Sequence, residues 1–259
     1  MKTIKRSTWS LPYFIFLVIF VVLPLILIAV YAFQDGQGRF TLSNITRFFS
    51  DADSLGTFAL SLEIAIENTA ICLLLGYPAA WILANRKLNR SAVTIVLFIL
   101  PMWINALMRT LATAELFNML GITLGKGTLI YGMVYDYLPF MIYPIYNILD
   151  KMDKSYSEAA EDLGAKPVQV FTKITLPLSM PGVMSGILMV FMPTVSTFAM
   201  SEFLTNNKIK LVGTSIQENI NSSMWNYGAA LAFIMLLIIG ITTLFGGEDE
   251  ANAAEGGLV

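Results

Sequence analysis

The sequence predicts an all-α protein that crosses a membrane six times, and three features of the chain support this prediction. First, 56% of the 259 residues are hydrophobic and 13% are charged, whereas a soluble domain usually has about 25% charged residues. Second, the apolar residues form runs of about 20 residues, the length that a helix needs to cross the hydrocarbon core. Third, backbone groups inside a bilayer must pair internally, as they do in a helix.

Six candidate spans follow one another in one predicted domain, residues 1–246. They lie at about residues 11–33, 59–84, 92–116, 128–149, 181–204 and 228–246. The first span follows basic residues, as in a signal peptide, but it is too long for a signal core and lacks a small-residue cleavage site, so we expect it to be retained. Prolines lie at positions 24, 78, 101, 139, 144 and 193; membrane helices tolerate them because neighbouring helices satisfy the freed backbone groups.

The basic residues predict the orientation of the spans. Ten of them lie at the N-terminus and in the loops after the second and fourth spans: Lys2, Lys5, Arg6, Arg86, Lys87, Arg90, Lys151, Lys154, Lys166 and Lys173. Five lie in the opposite loops: Arg39, Arg47, Lys126, Lys208 and Lys210. Because cytoplasmic loops are enriched in lysine and arginine, we expect both termini to be cytoplasmic. The acidic tail, residues 247–259, is then a cytoplasmic segment that its composition predicts to be disordered.

Composition also excludes several functions. The chain has no histidine, which excludes a Ser-His-Asp triad and a histidine metal site, and we predict no catalytic residue, metal or cofactor. A formal net charge of −2 gives no indication of a nucleic-acid partner. The single cysteine, Cys72, lies in an apolar run and excludes an intrachain disulfide.

A polar segment, residues 150–178, interrupts the apolar runs between the fourth and fifth spans. Within it, DKSYSEAAEDLG predicts a short helix whose start Asp153 or Ser155 caps and whose end Gly164 marks by adopting a left-handed conformation. Pro167 fits the first turn of a second helix, PVQVFTKI. Ala159, Ala160 and Leu163 form a small apolar face surrounded by charge, which favours close contact with another protein surface over a solvated loop.

The same segment carries a recognisable spacing: Glu158-Ala159-Ala160, three residues, Gly164, nine residues, then Ile174, Leu176 and Pro177. It resembles the EAA signature of permease subunits of binding-protein-dependent ABC importers, and its place between the fourth and fifth of six spans is similar too. The resemblance implies the type I (MetI-like) permease fold. It also implies that an ATPase subunit docks here, on the residues Glu158, Ala159, Ala160, Leu163, Gly164, Ile174, Leu176 and Pro177.

Further segments, among them LPMWINALMRTLA and LPLSMPGVMSGILMVFMPTVSTF, resemble the spermidine/putrescine permeases of the first-subunit type, and the similarity covers most of residues 11–245. The resemblance implies polyamine transport and a set of partners: a second permease subunit forming a heterodimer, two ATPase subunits and an extracytoplasmic substrate-binding protein, all assembled in the lipid of the cytoplasmic membrane.

The chain has no ATP site of its own that the sequence reveals. The nearest match to a phosphate-binding loop, G-x-x-x-x-G-K-[ST], is GITLGKGT with Gly121, Gly125 and Lys126. It has one residue too few between the glycines and Gly127 where the hydroxyl residue should be, and the predicted topology places it outside. We interpret it as an external turn, so the nucleotide must bind another subunit.

Ionisable residues within spans are costly and therefore indicate function. Five carboxylates fall in or near the outer halves of spans, against Arg109 as the one clearly intramembrane base: Glu63, Glu67, Glu115, Asp136 and Glu202. They would form an acidic funnel suited to a polycation, with aromatic faces for cation–π contacts. The candidate pathway residues are Asp136, Glu202, Glu67, Glu115, Trp103 and Tyr135. An alternative is that these acids lie at the interface in contact with water, and that Glu115 pairs with Arg109.

Other functions remain open from the residues alone. An importer of an amino acid or an inorganic anion would share the EAA segment, although an anion carrier should line its entrance with arginine or lysine. A secondary transporter predicts inverted repeats, which the sequence does not show. An intramembrane enzyme is disfavoured because no paired catalytic motif is present.

Overall fold

The computed structural model describes residues 11–85 and 93–256, which form helices and one isolated antiparallel bridge between Gln34 and Phe40. The all-α prediction is confirmed. The basic residues of the N-terminus and of residues 86–92 lie outside the described residues. In chain order the helices are α1 (Leu11–Ala32), α2 (Ser43–Ser50), α3 (Ala52–Ala84), α4 (Val93–Trp103), α5 (Ala106–Met119), α6 (Lys126–Lys151), α7 (Ser155–Asp162), α8 (Pro167–Ser196), α9 (Ala199–Thr205), α10 (Val212–Asn221) and α11 (Trp225–Gly256).

Three of the described helices are long and apolar enough to cross a membrane, namely α1, α3 and α8. The pair α4 and α5 would supply a fourth span if its two bent halves count as one. Helix α6 has the length of a span, but it contains two prolines, Asp136 and several tyrosines, which lower its hydropathy. The apolar part of α11 is short, Trp225–Ile241. The count of six spans therefore stays a prediction.

The third predicted span, about residues 92–116, is not one straight helix. Helices α4 and α5 meet at an angle of 91°. Helix α4 ends in a 3-10 turn that contains Pro101, and Asn105 then caps α5 by accepting hydrogen bonds from Leu107 N at 2.9 Å and Met108 N at 3.3 Å. Because Ile104 is extended and Asn105 has a non-helical ψ angle of 125°, the helix cannot continue through them. The helix is thus interrupted between residues 103 and 106, and a span at about residues 92–116 stays a prediction.

The fifth predicted span, about residues 181–204, also differs from the structure. Helix α8 begins at Pro167 and runs through Pro177 and Pro181, so these prolines do not separate the polar segment from the span. A π turn, Phe171–Thr175, precedes Pro177, and such turns accommodate residues that cannot complete the regular hydrogen-bond ladder. The helix ends at Ser196, and α9 forms after an extended residue at Thr197.

Two boundaries at the C-terminal end also change. The sixth predicted span, about residues 228–246, is part of the longer helix α11, which starts at Trp225. The helix continues to Gly256, so the prediction of a disordered acidic tail from residue 247 is wrong for the backbone up to that residue.

The chain divides into two compact units, residues 1–56 with 215–238, and residues 57–214 with 239–259. In the second unit, α3, α6 and α8 pack around Met141 of α6. A Cβ added at Gly76 of α3 would lie 2.8 Å from Met141 Cγ, and one at Gly186 of α8 would lie 2.7 Å from Met141 Sδ. One added at Gly182 would lie 2.9 Å from Pro144 O. Small residues four apart permit the close helix contact that stabilises membrane bundles.

Buried hydrogen bonds join the same helices. Asn68 Nδ2 of α3 donates to Thr194 Oγ1 of α8 at 2.8 Å, and the Tyr77 hydroxyl lies 2.8 Å from Ser179 Oγ. A second cluster of buried side chains lies where α3, α5, α6 and α9 meet, and it includes Phe117, Met133 and Leu204. These contacts pack α3, α5, α6, α8 and α9 together, and the buried charges of the second unit lie on α5 and α6.

Candidate functional sites in the polar segment and among the buried charges

The side chain of Asp153 binds the first backbone N–H of helix α7 in the polar segment, whose N-cap position, Lys154, makes no side-chain cap bond. Asp153 Oδ1 accepts a hydrogen bond from Ser155 N at 2.9 Å, which satisfies one of the free N–H groups at the start of a helix. This backbone hydrogen bond, with a further one from the Ser155 side chain, holds the pKa of Asp153 below its usual value. Of the two caps that the sequence allowed, Asp153 supplies this bond, and Ser155 is the first helical residue.

The end of α7 confirms the role predicted for Gly164. Its φ angle is +83°, a left-handed conformation that favours glycine. Gly164 N donates to Glu161 O at 2.9 Å and Ala165 N donates to Ala160 O at 3.0 Å, the pair of bonds that defines a Schellman termination. A Cβ on Gly164 would meet nothing within 4 Å, so the backbone conformation alone requires glycine here.

The next helix starts as predicted at Pro167, in its first turn. Gln169 contributes a cap that the sequence analysis missed, because its Oε1 accepts a hydrogen bond from Lys166 N at 2.8 Å. The glutamine three residues after the cap position is the signal that would have identified it. The backbone N–H groups of the turn between Gly164 and Pro167 are therefore hydrogen-bonded, those of Gly164 and Ala165 to α7 and that of Lys166 to Gln169.

The predicted docking residues form an exposed surface with a partly buried base. Glu158, Ala159, Leu163, Gly164 and Pro177 are exposed, and the Leu163 side chain is 89% exposed. The partly buried members of the set are Ala160, Ile174 and Leu176. Two further apolar side chains on this surface are exposed although the sequence analysis did not select them: Tyr156 at 58% and Val168 at 71%.

A cavity of about 330 Å³ lies behind α7. Glu158 and Glu161 line it from α7, Trp81 from the end of α3, Leu149 from the end of α6 and Phe171 from the π turn of α8. Across this cavity α7 thus faces the ends of three long helices, α3, α6 and α8.

Among the intramembrane charges, the structure pairs Arg109 with Asp136. Arg109 Nε lies 3.2 Å from Asp136 Oδ1, and the two side chains are 7% and 2% exposed. Thr110 Oγ1 lies 3.5 Å from Asp136 Oδ2. The predicted alternative, a pair between Arg109 and Glu115, is wrong in its partner, because the contact runs across helices from α5 to α6 and Glu115 is exposed.

The residues on either side of Asp136 extend this contact. The Tyr135 ring lies under the guanidinium, with Arg109 Cζ 5.8 Å from the ring centroid, and the Tyr135 side chain is 44% exposed. The Tyr137 hydroxyl lies near the Thr197 side chain, at the break between α8 and α9. Three consecutive residues of α6 therefore contact both interrupted helices of the second unit, α5 through Arg109 and the break between α8 and α9 through Thr197.

The glutamates of α3 are paired with a lysine. Lys126 Nζ, at the start of α6, lies 2.7 Å from Glu63 Oε1 and 2.9 Å from Glu67 Oε1. All three side chains are between 38% and 55% exposed. Lys126 belongs to the string that resembled a phosphate-binding loop, and the structure instead places it between two carboxylates, in agreement with the interpretation of that string as a turn.

The six predicted pathway residues do not converge on one point. Asp136 and Tyr135 both adjoin Arg109, whereas Glu67 binds Lys126. Trp103 is 84% exposed at the end of α4, Glu115 is exposed on α5, and Glu202 is half-buried in the first turn of α9. Of the five carboxylates of the predicted funnel, Glu63, Glu67 and Asp136 each have a basic partner in the structure, and the funnel itself stays a prediction.

Comparisons with known proteins assign this architecture to a family. The model of the family described as "Binding-protein-dependent transport system inner membrane component" matches residues 72–247. The spermidine/putrescine transport system permease protein PotB of Escherichia coli K12 is 34% identical over 252 residues, which cover 88% of this chain and 91% of that protein.

Two solved structures share the fold. A subunit of a bacterial ABC transporter that imports the acidic polysaccharide alginate aligns with a TM-score of 0.69 at 14% identity and covers 95% of this chain and 94% of its own. The MetNI methionine ABC transporter, in an inward-facing conformation, aligns with a TM-score of 0.62 at 14% identity, covering 77% and 95%. At such identities these similarities show the fold alone, and they confirm the MetI-like prediction.

A multi-pass membrane location and a non-catalytic role follow from the family match and disfavour both the secondary-transporter and the enzyme hypotheses. The chain belongs to the family of inner membrane components of binding-protein-dependent transport systems, and it is a permease subunit of an ABC importer.

Proposed function

We propose that this permease subunit translocates polyamines such as spermidine and putrescine across the cytoplasmic membrane. The observation that carries the proposal is the 34% identity to the E. coli spermidine/putrescine permease over 88% of the chain. Because the chain also covers 91% of that relative, the similarity extends across the spans that would enclose the pathway and is not limited to the coupling segment.

The exposed surface of residues 150–178 supports a docking role toward an ATPase subunit. A helix with a satisfied cap at Asp153 and a satisfied stop at Gly164 is a formed element, while the exposed Leu163, Tyr156 and Val168 side chains favour coverage by a protein. In the proposed complex this segment lies on the cytoplasmic side, with both termini. A second permease subunit, two ATPase subunits and an extracytoplasmic binding protein complete the importer.

In this orientation six segments cross the membrane, and Glu115 and Glu202 lie toward the outside. The ion pairs of the described residues leave these two carboxylates without a basic partner, so they are the acids best suited to attract an ammonium group. Asp136 is available to substrate only if Arg109 moves away from it, since the two charges are in contact and buried. A pathway lined with free carboxylates favours a cation over an inorganic anion.

Coupling is tested at Gly164. In the full complex reconstituted in proteoliposomes, Gly164→Val should abolish most substrate-dependent ATP hydrolysis and uptake, because a β-branched residue does not adopt φ near +83° without strain. Gly164→Asn is the matched control, since asparagine tolerates this conformation, and it should retain both activities. Glu158→Lys should reduce co-purification of the ATPase. Wild-type coupling in Gly164→Val and Glu158→Lys would remove the docking role.

Cargo is tested with a panel of substrates. Spermidine and putrescine should stimulate ATP hydrolysis by the reconstituted complex, whereas an amino acid and inorganic phosphate should not. Glu202→Gln should raise the spermidine concentration needed for half-maximal stimulation, and Asp53→Asn, at an exposed residue in the first turn of α3, serves as a charge-matched control outside both the pathway and the docking segment. Stimulation by the amino acid or by phosphate, with none by polyamines, would refute the assignment of the cargo while leaving the importer class intact.

A further inference from the structure

The first unit contains a short amphipathic helix, α2, between two long apolar helices. Its sequence, SNITRFFS, places Ile45, Phe48 and Phe49 on one side and the polar residues, including Asn44 and Arg47, on the other. Helix α2 begins 11 residues after α1 ends, and α3 begins two residues after α2 ends. The helix is therefore confined to the region where α1 leaves the bilayer and α3 enters it.

Contacts with the ends of three apolar helices hold α2 in place. Asn44 Nδ2 donates to Gln34 O at 2.8 Å and to Ala32 O, the last residue of α1, at 3.2 Å. Arg47 Cζ lies 4.2 Å from the centroid of the Tyr227 ring, at the start of α11. The Tyr227 hydroxyl lies in turn 2.8 Å from Ser54 Oγ, in the first turn of α3.

These contacts define a level along the membrane normal. Trp225 and Tyr227 begin α11, and aromatic residues of this kind are enriched at the boundary between membrane and water. Asn44 and Arg47 bind at the ends of helices that belong to the membrane, so α2 cannot lie far above that boundary. Its polar side supplies both contacts, and on its apolar side Phe48 is buried whereas Phe49 is exposed.

Large apolar side chains at this level are exposed. Phe48 is buried, but Phe49 is 63% exposed, Leu42, just before α2, is 54% exposed, and Phe40 is 77% exposed. The surface of α1 that ends beside them is also exposed and strongly apolar along its length. In a protein of the inner membrane that α1 surface lies in lipid, and the exposed residues around α2 continue it.

We propose that α2 is an interfacial helix that inserts Phe40, Leu42 and Phe49 into the lipid at the boundary of headgroups and acyl chains. Amphipathic helices that lie in this plane bury their apolar face about 5–10 Å into the boundary region. Arg47 remains among the headgroups, where its charge also faces the Tyr227 ring. The occupant is the bilayer because the patch is continuous with the lipid-facing surface of α1 and is held at the ends of the spans.

The test compares two neighbouring positions in the assembled importer. Phe49→Cys and Ser50→Cys are each labelled with an environment-sensitive fluorophore and reconstituted into phosphatidylethanolamine/phosphatidylglycerol vesicles that carry brominated acyl chains. The two sites are one residue apart along α2 but about 100° apart around it, so they differ in face and not in depth along the helix. The native Cys72 is 0% exposed, and the unchanged chain provides the labelling blank.

We expect lipids brominated near the headgroup to quench the label at position 49 at least about threefold more strongly than at position 50, given the insertion depth of such helices. Aqueous iodide should show the reverse order. Phe40→Cys provides a second site, since the Phe40 side chain is 77% exposed and stacks on Phe33 at the edge of the protein, with 6.0 Å between ring centroids, and it should behave like position 49. Retained ATP hydrolysis confirms that each labelled complex is assembled.

Equal quenching at positions 49 and 50 would overturn the proposal. It would also fail if the label at position 49 were shielded from iodide only after the substrate-binding protein was added, because the patch would then be a docking surface for that protein. Neither result depends on which substrate the importer carries.

Discussion

Replacing Asp136 by leucine removes one half of a buried ion pair and leaves the guanidinium of Arg109 without its counter-charge. The two charged groups are 3.2 Å apart and at most 7% exposed, so their direct attraction is about 5 kcal/mol at an effective dielectric constant of about 20. The desolvation of both groups offsets much of this attraction, but removing a single partner of such a pair typically costs about 3–5 kcal/mol.

The double variant separates the pair from its members. Arg109→Met with Asp136→Leu removes both charges and fills a similar volume, so we expect its stability to lie within about 1 kcal/mol of the native chain. Each single variant should instead lower the midpoint of thermal unfolding of the purified complex by roughly 6–12 °C, which corresponds to about 3 kcal/mol for a chain of this size. The measurement is thermal unfolding in nanodiscs, followed by the loss of assembled complex.

Two outcomes would refute this reasoning. Single variants as stable as the native chain would show that the pair contributes nothing, and a double variant whose loss equals the sum of the single losses would show that the two residues do not interact. Spermidine-stimulated ATP hydrolysis of the stable double variant then separates a structural role from a transport role. Activity close to native would assign the pair to packing between α5 and α6, whereas loss of stimulation without loss of stability would assign it to the pathway.

Three further predictions follow from contacts of the second unit. Gly186→Val should destabilise the complex by about 1–3 kcal/mol because of overpacking, since an added Cβ would lie 2.7 Å from the Met141 sulfur of α6. Gly56→Ala is the control in the same unfolding assay, because a Cβ added at Gly56 would have no atom within 4 Å. Asn68→Leu should cost about 1–3 kcal/mol by leaving the Thr194 hydroxyl without this partner, and adding Thr194→Val should recover most of that loss. The pKa of Asp153 is lowered in the folded protein. Its hydrogen bond therefore stabilises α7 above the unfolded pKa of about 3.9, and this stabilisation is lost as the pH falls through the lower folded pKa. Hydrogen exchange of the α7 amides should accelerate in that pH range, and Asp153→Ala should remove the pH dependence.

The sequence predicted the polar segment well because its determinants are local. An aspartate two residues before a helical N–H, a glycine at a left-handed stop and a proline in a first turn each act within a few residues of themselves. Such signals do not depend on which helices later become neighbours. The bend between α4 and α5 also has a local signal, because Asn105 is a favourable cap residue. The prediction of the spans did not use it, because hydropathy is averaged over a window much longer than one residue.

The charge pairing was less predictable because it is decided by tertiary packing. Arg109 and Glu115 lie on one helix, so the sequence favoured that pair, whereas Asp136 reaches Arg109 only when α5 lies against α6. The same holds for Lys126, whose partners Glu63 and Glu67 are about 60 residues away along the chain. The hydropathy pattern identified these residues as charged side chains within apolar runs. It carried no information on which of them form ion pairs with one another.

Helix α6 connects the two regions that the function requires. Lys126 at its first residue binds the glutamates of α3, Asp136 binds Arg109, and Lys151 at its last residue lies four residues before Ser155, where α7 begins. Gly182 and Gly186 hold α8 against α6 so closely that an added Cβ would clash with Pro144 or Met141. Since packed helices with interlocked side chains shift as units, α6 and α8 should move together when an ATPase displaces α7. If the proposed docking role holds, the Tyr135–Tyr137 segment would carry that movement from α6 to both helix breaks.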